Sequence, residues 1–254
     1  MQRHSVWIVL ALLGACLGAS IGLQQQTGSG QERAVPRARP PADDDPIDQK
    51  VVQTLPAVRA PADLGERAFA HVHALVAMGP RHTAAQPTPG WSRQLDHIAT
   101  TLKELGLEPE RDTWTDRKEL LTFTNVSVRI PGRRQDRIVL ACHHDTKCTQ
   151  GHSDPAHNFP FVGANDGASG VGLLLALAAA LAKTEREATL ELVFFDGEES
   201  LDWTWNDAAR ALFGSKRYVR AHRDRGMTGA EPRIAAMVLL DMVGRTDLHI
   251  QEEL

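Results

Sequence analysis

Three short, nearly unbroken apolar runs constrain the fold more than anything else in the chain: RIVLAC at 137–142, TLELVFF at 189–195 and IAAMVLL at 234–240. A strand with one wet face alternates, so strands this apolar need cover on both faces and read as central strands of an α/β sheet. Helical patterns fall between and before them. Residues 62–78 place Leu64, Ala68, Val72, Leu75 and Val76 at helical spacing and stop at Gly79-Pro80. Residues 91–105 place Leu95, Ile98, Leu102 and Leu105 on one side, with Gly106 as C-cap. Residues 168–181, ASGVGLLLALAAAL, are apolar all round. They make a deeply buried helix that is too short to cross a bilayer. A further helix is expected over 207–220. Residues 122–130 alternate as a half-buried strand, and 107–114 fit an edge strand. The expected architecture is a three-layer α/β/α domain with a mixed, mostly parallel central sheet.

Composition narrows the rest. With 254 residues, 42% hydrophobic and 24% charged, the chain holds enough apolar material for one sizeable core. A net charge of −4 gives no support to a nucleic-acid partner. Three cysteines do not make a disulfide scaffold. Glycine-rich nucleotide-binding patterns are absent.

The N-terminus reads as an export signal. Residues 1–19 carry Arg3 and a ten-residue apolar run over 6–15, short for a membrane span and the right length for a signal peptide. Two processing routes stay open: cleavage after the small residues ending at Ala19, or lipidation of Cys16 in the string Leu13-Gly14-Ala15-Cys16. Residues 20–62, rich in Gln, Gly, Ser, Pro and Asp, are a linker. The folded domain is expected over 63–254, in a periplasmic or extracellular setting, with any membrane contact made through the lipid alone.

Polar clusters lie just past the carboxyl ends of the apolar runs, where open α/β sheets place their sites. His143-His144-Asp145 follows the first, Asp196-Gly197-Glu198-Glu199 the second and Asp241 the third; Asn165-Asp166 precedes the buried helix. His with carboxylates is an ordinary zinc donor set. Asp166 and Glu199 are the leading ligand candidates, Asp166 lying near the helix N-terminus that favours an anion. The adjacent Glu198 is free to transfer protons while Glu199 holds metal. Neighbouring side chains in extended chain point apart, so one of His143 and His144 faces the site. Cys142 and Cys148 either pair, six residues apart, or remain a buried thiol and a loop thiol. Trp203 and Trp205 either wall a small apolar pocket or pack helix against sheet.

At these residues the chain resembles the zinc-dependent exopeptidase superfamily of bacterial aminopeptidases and glutaminyl-peptide cyclotransferases, with the cyclotransferase branch closest. The strings that carry the resemblance are LTFTNV, IVLACHHDTK, FVGANDGASG, LVFFDGEES, LFGSKRYV and LLDMVG, in this order. The resemblance implies zinc on Asp166 and Glu199, Glu198 as general base and acid, and Asp241 as a substrate-orienting carboxylate. It also implies Trp203 or Trp205 against the glutamine side chain. One Zn2+ suffices for cyclotransfer; an aminopeptidase uses two, with His143 and Asp241 as direct ligands. The substrate class implied is peptide or protein N-termini. The implied reaction is conversion of N-terminal glutamine to pyroglutamate with loss of ammonia. The alternatives are hydrolysis of the first peptide bond, or an inactive fragment or surface binding protein. Oligomeric state is left open.

Two departures accompany the resemblance. GANDGASG is closer to the aminopeptidase form of that loop, and the position where animal cyclotransferases pair a cysteine with Cys142 is apolar here. The family takes a further zinc-ligand histidine from well beyond Asp241, whereas thirteen residues follow it here and His249, in an expected strand TDLHIQEEL, does not match. The expectation is therefore a domain incomplete at its C-terminal end.

Overall fold

The computed structural model describes residues 60–83, 88–227, 229 and 231–248. The expected signal segment 1–19 with Cys16, almost all of the linker and His249 lie outside the described residues. Among the described residues no helix is long and apolar enough to cross a membrane.

The elements run α1 (Leu64–Ala77), α2 (Pro89–Glu104), β1 (Glu110–Thr115), β2 (Thr122–Ile130), β3 (Arg134–His143), α3 (Ala168–Leu181), β4 (Ala188–Phe195), a short 3-10 turn (Ala208–Arg210), α4 (Phe213–Met227) and β5 (Ile234–Leu239). The sheet order is β1-β2-β4-β3-β5. β3 lies parallel to both β4 and β5, while β1–β2 and β2–β4 are antiparallel. The sheet is thus mixed, and its parallel part is the part whose carboxyl ends carry the polar clusters.

Both faces of that parallel part are covered, as its composition requires. Leu192, Phe194 and Cys142 turn to one side and join the core made by α1, α2 and α3, with Leu75, Ile98, Leu102, Leu174 and Leu175 at 0% exposure. Val139, Ala141, Val193 and Phe195 turn to the other, against Tyr218 of α4. The period of two along β3 and β4 thereby serves two cores at once.

Three local expectations are corrected. The helix expected over 207–220 is split: Asp207 caps a 3-10 turn by accepting from Ala209 N at 2.9 Å, and α4 starts only at Phe213, after Leu212 at φ 58°. Residues 246–247 form a turn, not the start of a strand, and 249–254 lie outside the described residues. Cys142 and Cys148 are both free, so the pairing left open above does not form. Cys142 points into the core beside Gly170, where an added Cβ would meet its own at 2.8 Å, whereas Cys148 is exposed on the loop.

Far from the polar clusters, a buried ion group holds β3, β4 and the approach to β5. Arg137, 1% exposed, pairs with Glu191 and, at 2.6 Å, with Glu231. It also donates to His222 Nδ1 at 2.9 Å and Pro232 O at 3.1 Å. Arg225 reaches Glu231 at 2.7 Å.

Candidate active site

The register of the parallel strands decides which polar residues meet. His143 pairs with Phe195, so the histidine ending β3 and the Asp196–Glu199 turn after β4 emerge side by side. Leu240 N donates to Ala141 O at 2.7 Å, which brings Asp241 to the same edge. Asp166 arrives from the loop before α3. That loop bends at Gly167 (φ +87°), where a Cβ would strike Asp145 O at 2.7 Å and approach the His143 ring at 3.3 Å. Glycine is needed there both for the backbone angle and for the close approach.

Four groups converge on His143. Its Nε2 lies 3.1 Å from Asp166 Oδ1 and 3.4 Å from Asp241 Oδ1. Its Nδ1 lies 3.5 Å from Asp145 Oδ1 and 4.0 Å from Glu198 Oε2. His143, Asp166 and Asp241 offer donor atoms within 4.8 Å of one another. Both His143 nitrogens and Asp241 Oδ1 are buried without a hydrogen bond. Buried polar atoms left unpaired are costly, and a divalent cation among them removes that cost. By this test the residues present fit a zinc ion.

Electrostatics follow from crowding. Burial alone would lower the basicity of His143, but the carboxylates of Asp145, Asp166 and Asp241 outweigh it and raise it well above the ordinary value. Burial, then the neighbouring carboxylates of Asp145, Asp241 and Asp166, lifts Glu198 to about 7, against the pull of His143. Burial, then Asp166, Asp145 and Glu198, lifts Glu199 to about 8. Carboxyls raised this far in a cleft are suited to proton transfer or to metal in place of the missing counter-charge.

The Glu198–Glu199 turn is held from beneath by Asp145. Its Oδ1 accepts from Glu198 N at 3.0 Å and its Oδ2 from Glu199 N at 3.1 Å. Burial works against this carboxylate, yet His143, His144 and the N–H donors keep it below its ordinary range. Lys147 steadies the other side, donating to Ser200 O at 2.5 Å and Asp202 O at 2.6 Å, with its ammonium 3.9 Å from Glu199 Oε2. Asp196 is fully buried and accepts from Trp91 Nε1 at 2.9 Å, Thr124 N at 2.7 Å and Gly197 N at 2.9 Å. Arg81, also fully buried, donates to Val162 O at 2.7 Å, Gly163 O at 3.2 Å and Gln94 Oε1 at 3.1 Å, which ties the Asp166 loop to α2.

His144 turns the opposite way from His143. It donates through Nε2 to Thr124 O at 3.0 Å and accepts at Nδ1 from Gln94 at 2.9 Å. Burial holds it down at about 4, so it is a neutral strut. Glu199 is not in the three-residue donor group, although Asp166 acts on it. Trp203 and Trp205 are 41% and 49% exposed. Trp203 lies against the rings of His152 and His157, with centroids 4.2 Å and 4.6 Å away, and the Lys147 ammonium stands 5.9 Å from the Trp205 ring. Neither tryptophan serves helix–sheet packing.

Trp91, Gln94, Arg81, Asp145 and Lys147 carry no role in the sequence reading. Asp145 and Lys147 were within reach, since both sit in the string HHDTK that follows β3. The other three come from the helix-to-helix region, where nothing in spacing or composition announces a contact with the sheet edge.

The parallel strands of this α/β sheet end in a buried histidine ringed by carboxylates, a donor group that could hold a metal ion. The profile of peptidase family M28 matches residues 125–251, half of the chain and all of the polar clusters, and the chain belongs to that family. Among curated relatives, a glutaminyl-peptide cyclotransferase-like protein of Bos taurus is 34% identical over 172 residues, covering 62% of this chain and 43% of its own length. The glutaminyl-peptide cyclotransferase of Drosophila melanogaster is 29% identical over 161 residues, covering 60% and 42%. Of solved structures, the glutaminyl cyclase of Fimbriiglobus ruber superposes with a TM-score of 0.63 at 26% identity, covering 73% of this chain and 64% of that one. A Zn-dependent exopeptidase from Parabacteroides distasonis gives 0.57 at 25%, covering 73% and 63%. The chain spans less than half the length of these curated relatives.

Proposed function

We propose that this protein is a zinc-dependent glutaminyl-peptide cyclotransferase, converting the N-terminal glutamine of peptides to pyroglutamate and releasing ammonia. The observation that carries the reading is Glu198: its carboxyl, lifted to about 7, stands 4.0 Å from the ring nitrogen of a histidine whose own nitrogens lack hydrogen-bond partners. The names of the relatives above favour cyclotransfer over hydrolysis. Export through residues 1–19 belongs to the same reading.

Asp166, with Glu199 and His143 or Asp241, would hold the metal. Zn2+, when bound, supplies a Lewis acid toward the side-chain carbonyl of the substrate glutamine. Ring closure needs the α-amine and that carbonyl carbon in one fixed geometry, so the residues around the site act chiefly by holding the reacting groups together. Glu198 takes the proton from the attacking amine and gives it to the departing amide nitrogen. A C–N bond forms to the α-nitrogen, the C–N bond to the side-chain nitrogen breaks, and ammonia leaves with the transferred proton. Asp145 keeps Glu198 and Glu199 aimed by holding both of their amides.

A second reading, zinc aminopeptidase, is favoured by one observation: His143 stands within reach of both Asp166 and Asp241, as a two-metal donor set would require. Ammonia release from a Gln-initiated peptide, followed with Zn2+ and with chelator, tests the proposal. Ammonia formed with Zn2+, and lost with chelator and in Asp166→Ala, supports it. Free glutamine without ammonia overturns it in favour of hydrolysis.

A further inference from the structure

Away from the active site, two imidazoles meet between the first two helices. His71 of α1 places Nδ1 3.1 Å from Nε2 of His97 on α2. The rings stand edge to face with centroids 5.2 Å apart. Nothing in the active site uses either residue, and neither is required for helix formation. Burial, and for His71 the neighbouring His97, lowers both below the ordinary imidazole value, with Glu104 pulling His97 the other way. Both rings are therefore neutral near pH 7 and have lone pairs to offer.

Arg67, one turn before His71, is engaged with Asp63 at 2.5 Å. Glu104, two turns beyond His97, brings negative charge to that side. α3, packed on α1, contributes only small and apolar side chains, ASGVGLLLALAAAL. Two nitrogens bound to one ion at about 2.0–2.1 Å lie roughly 2.9 Å apart in a square arrangement and about 3.3 Å apart in a tetrahedral one. The observed 3.1 Å falls between these.

We propose that His71 and His97 form a second metal site, a bis-imidazole clasp for a divalent transition ion of the Zn2+ or Cu2+ type, with water completing the shell. The clasp fastens α1 to α2. Without an ion the two rings share one N–H···N hydrogen bond, so the helices remain in register; on binding, the donating ring shifts its proton to its other nitrogen and both facing nitrogens present lone pairs.

The test uses the full chain carrying Asp166→Ala, which weakens the active-site donor set, with and without His71→Ala or His97→Ala. Zn2+ titration by calorimetry is expected to show one remaining equivalent in Asp166→Ala, lost when either histidine is also replaced. Cu2+ loaded into the Asp166→Ala protein is expected to give an electron paramagnetic resonance spectrum with two equatorial nitrogens, falling to one in His97→Gln, a variant chosen to keep the helix surface polar. Turnover of the His71→Ala protein with an otherwise intact site is expected to stay within twofold of the parent. Unchanged Zn2+ stoichiometry and an unchanged two-nitrogen Cu2+ signal after both histidines are replaced would overturn the proposal. So would the absence of any remaining equivalent in Asp166→Ala.

Discussion

At the scale of single residues, the site depends on two adjacent pairs that do different work. Glu198 and Glu199 are neighbours in sequence, yet Asp145 fixes both amides and leaves their carboxylates to different surroundings. Glu198→Gln keeps shape and removes the proton carrier; kcat should fall by about 10²–10⁴-fold with KM and bound zinc little changed, read by steady-state kinetics and metal analysis. His143 and His144 divide in the same way, one toward the carboxylates and one into the core. His144 uses both nitrogens in its neutral form, and its folded value of about 4 lies below the ordinary 6.5. Its contribution is therefore complete above about pH 6.5 and is lost as pH falls toward 4, because the unfolded chain takes up the proton first. Urea unfolding should show roughly 3 kcal/mol lost over that window beyond what His144→Gln loses. Alternation along an extended chain made the division between the two histidines readable. Alternation alone leaves the choice to the register of β3 against β4, and it was the family resemblance that singled out His143.

At the scale of elements, the strands were the most legible part and the supports of the site the least. β2 and α3 have the bounds that periodicity predicts, because each is a regular run against a core. The helix expected over 207–220 broke, because Asp207 capped a 3-10 turn and Leu212 took a left-handed angle that apolar spacing does not reveal. α2 shows the same limit. Its apolar stripe predicted a packed helix, but its Trp91 and Gln94 act through hydrogen bonds to the sheet edge. Trp91→Phe keeps the ring and removes one donor from a buried carboxylate. The expected cost is about 1–3 kcal/mol of stability, with a larger loss of kcat than of KM affinity as the Glu198–Glu199 turn loosens. Thermal unfolding alongside kinetics checks it; unchanged values in both would mean that Asp196 carries no strain from the lost partner.

At the scale of the whole molecule, the two ends of the sheet have separate tasks. One end gathers the polar clusters at the carboxyl termini of parallel strands. The other is pinned by the Arg137, Glu191 and Glu231 ion group. Arg137→Met leaves buried Glu191 with the Arg129 guanidinium 3.8 Å away, while Glu231 keeps Arg129 and Arg225, so a loss of about 3 kcal/mol in unfolding free energy is expected, measured by denaturant melts. The folded protein that remains should keep its affinity for zinc, since no donor atom moves. The fold class was readable because three apolar runs demanded cover on both faces. The metal donor grouping was only partly so, because His143 joins Asp166 and Asp241 through chain crossings that sequence order conceals.

The central claim is that this site closes a ring on N-terminal glutamine, and the most direct measurement is the product mass. A peptide beginning with Gln is incubated with zinc-loaded protein, beside a no-enzyme control and the Glu198→Gln variant. A loss of about 17 Da, absent from both controls, is the predicted result, since intramolecular attack expels ammonia alone. A loss of about 128 Da, the whole glutamine residue, would contradict the account and assign the site to peptide hydrolysis.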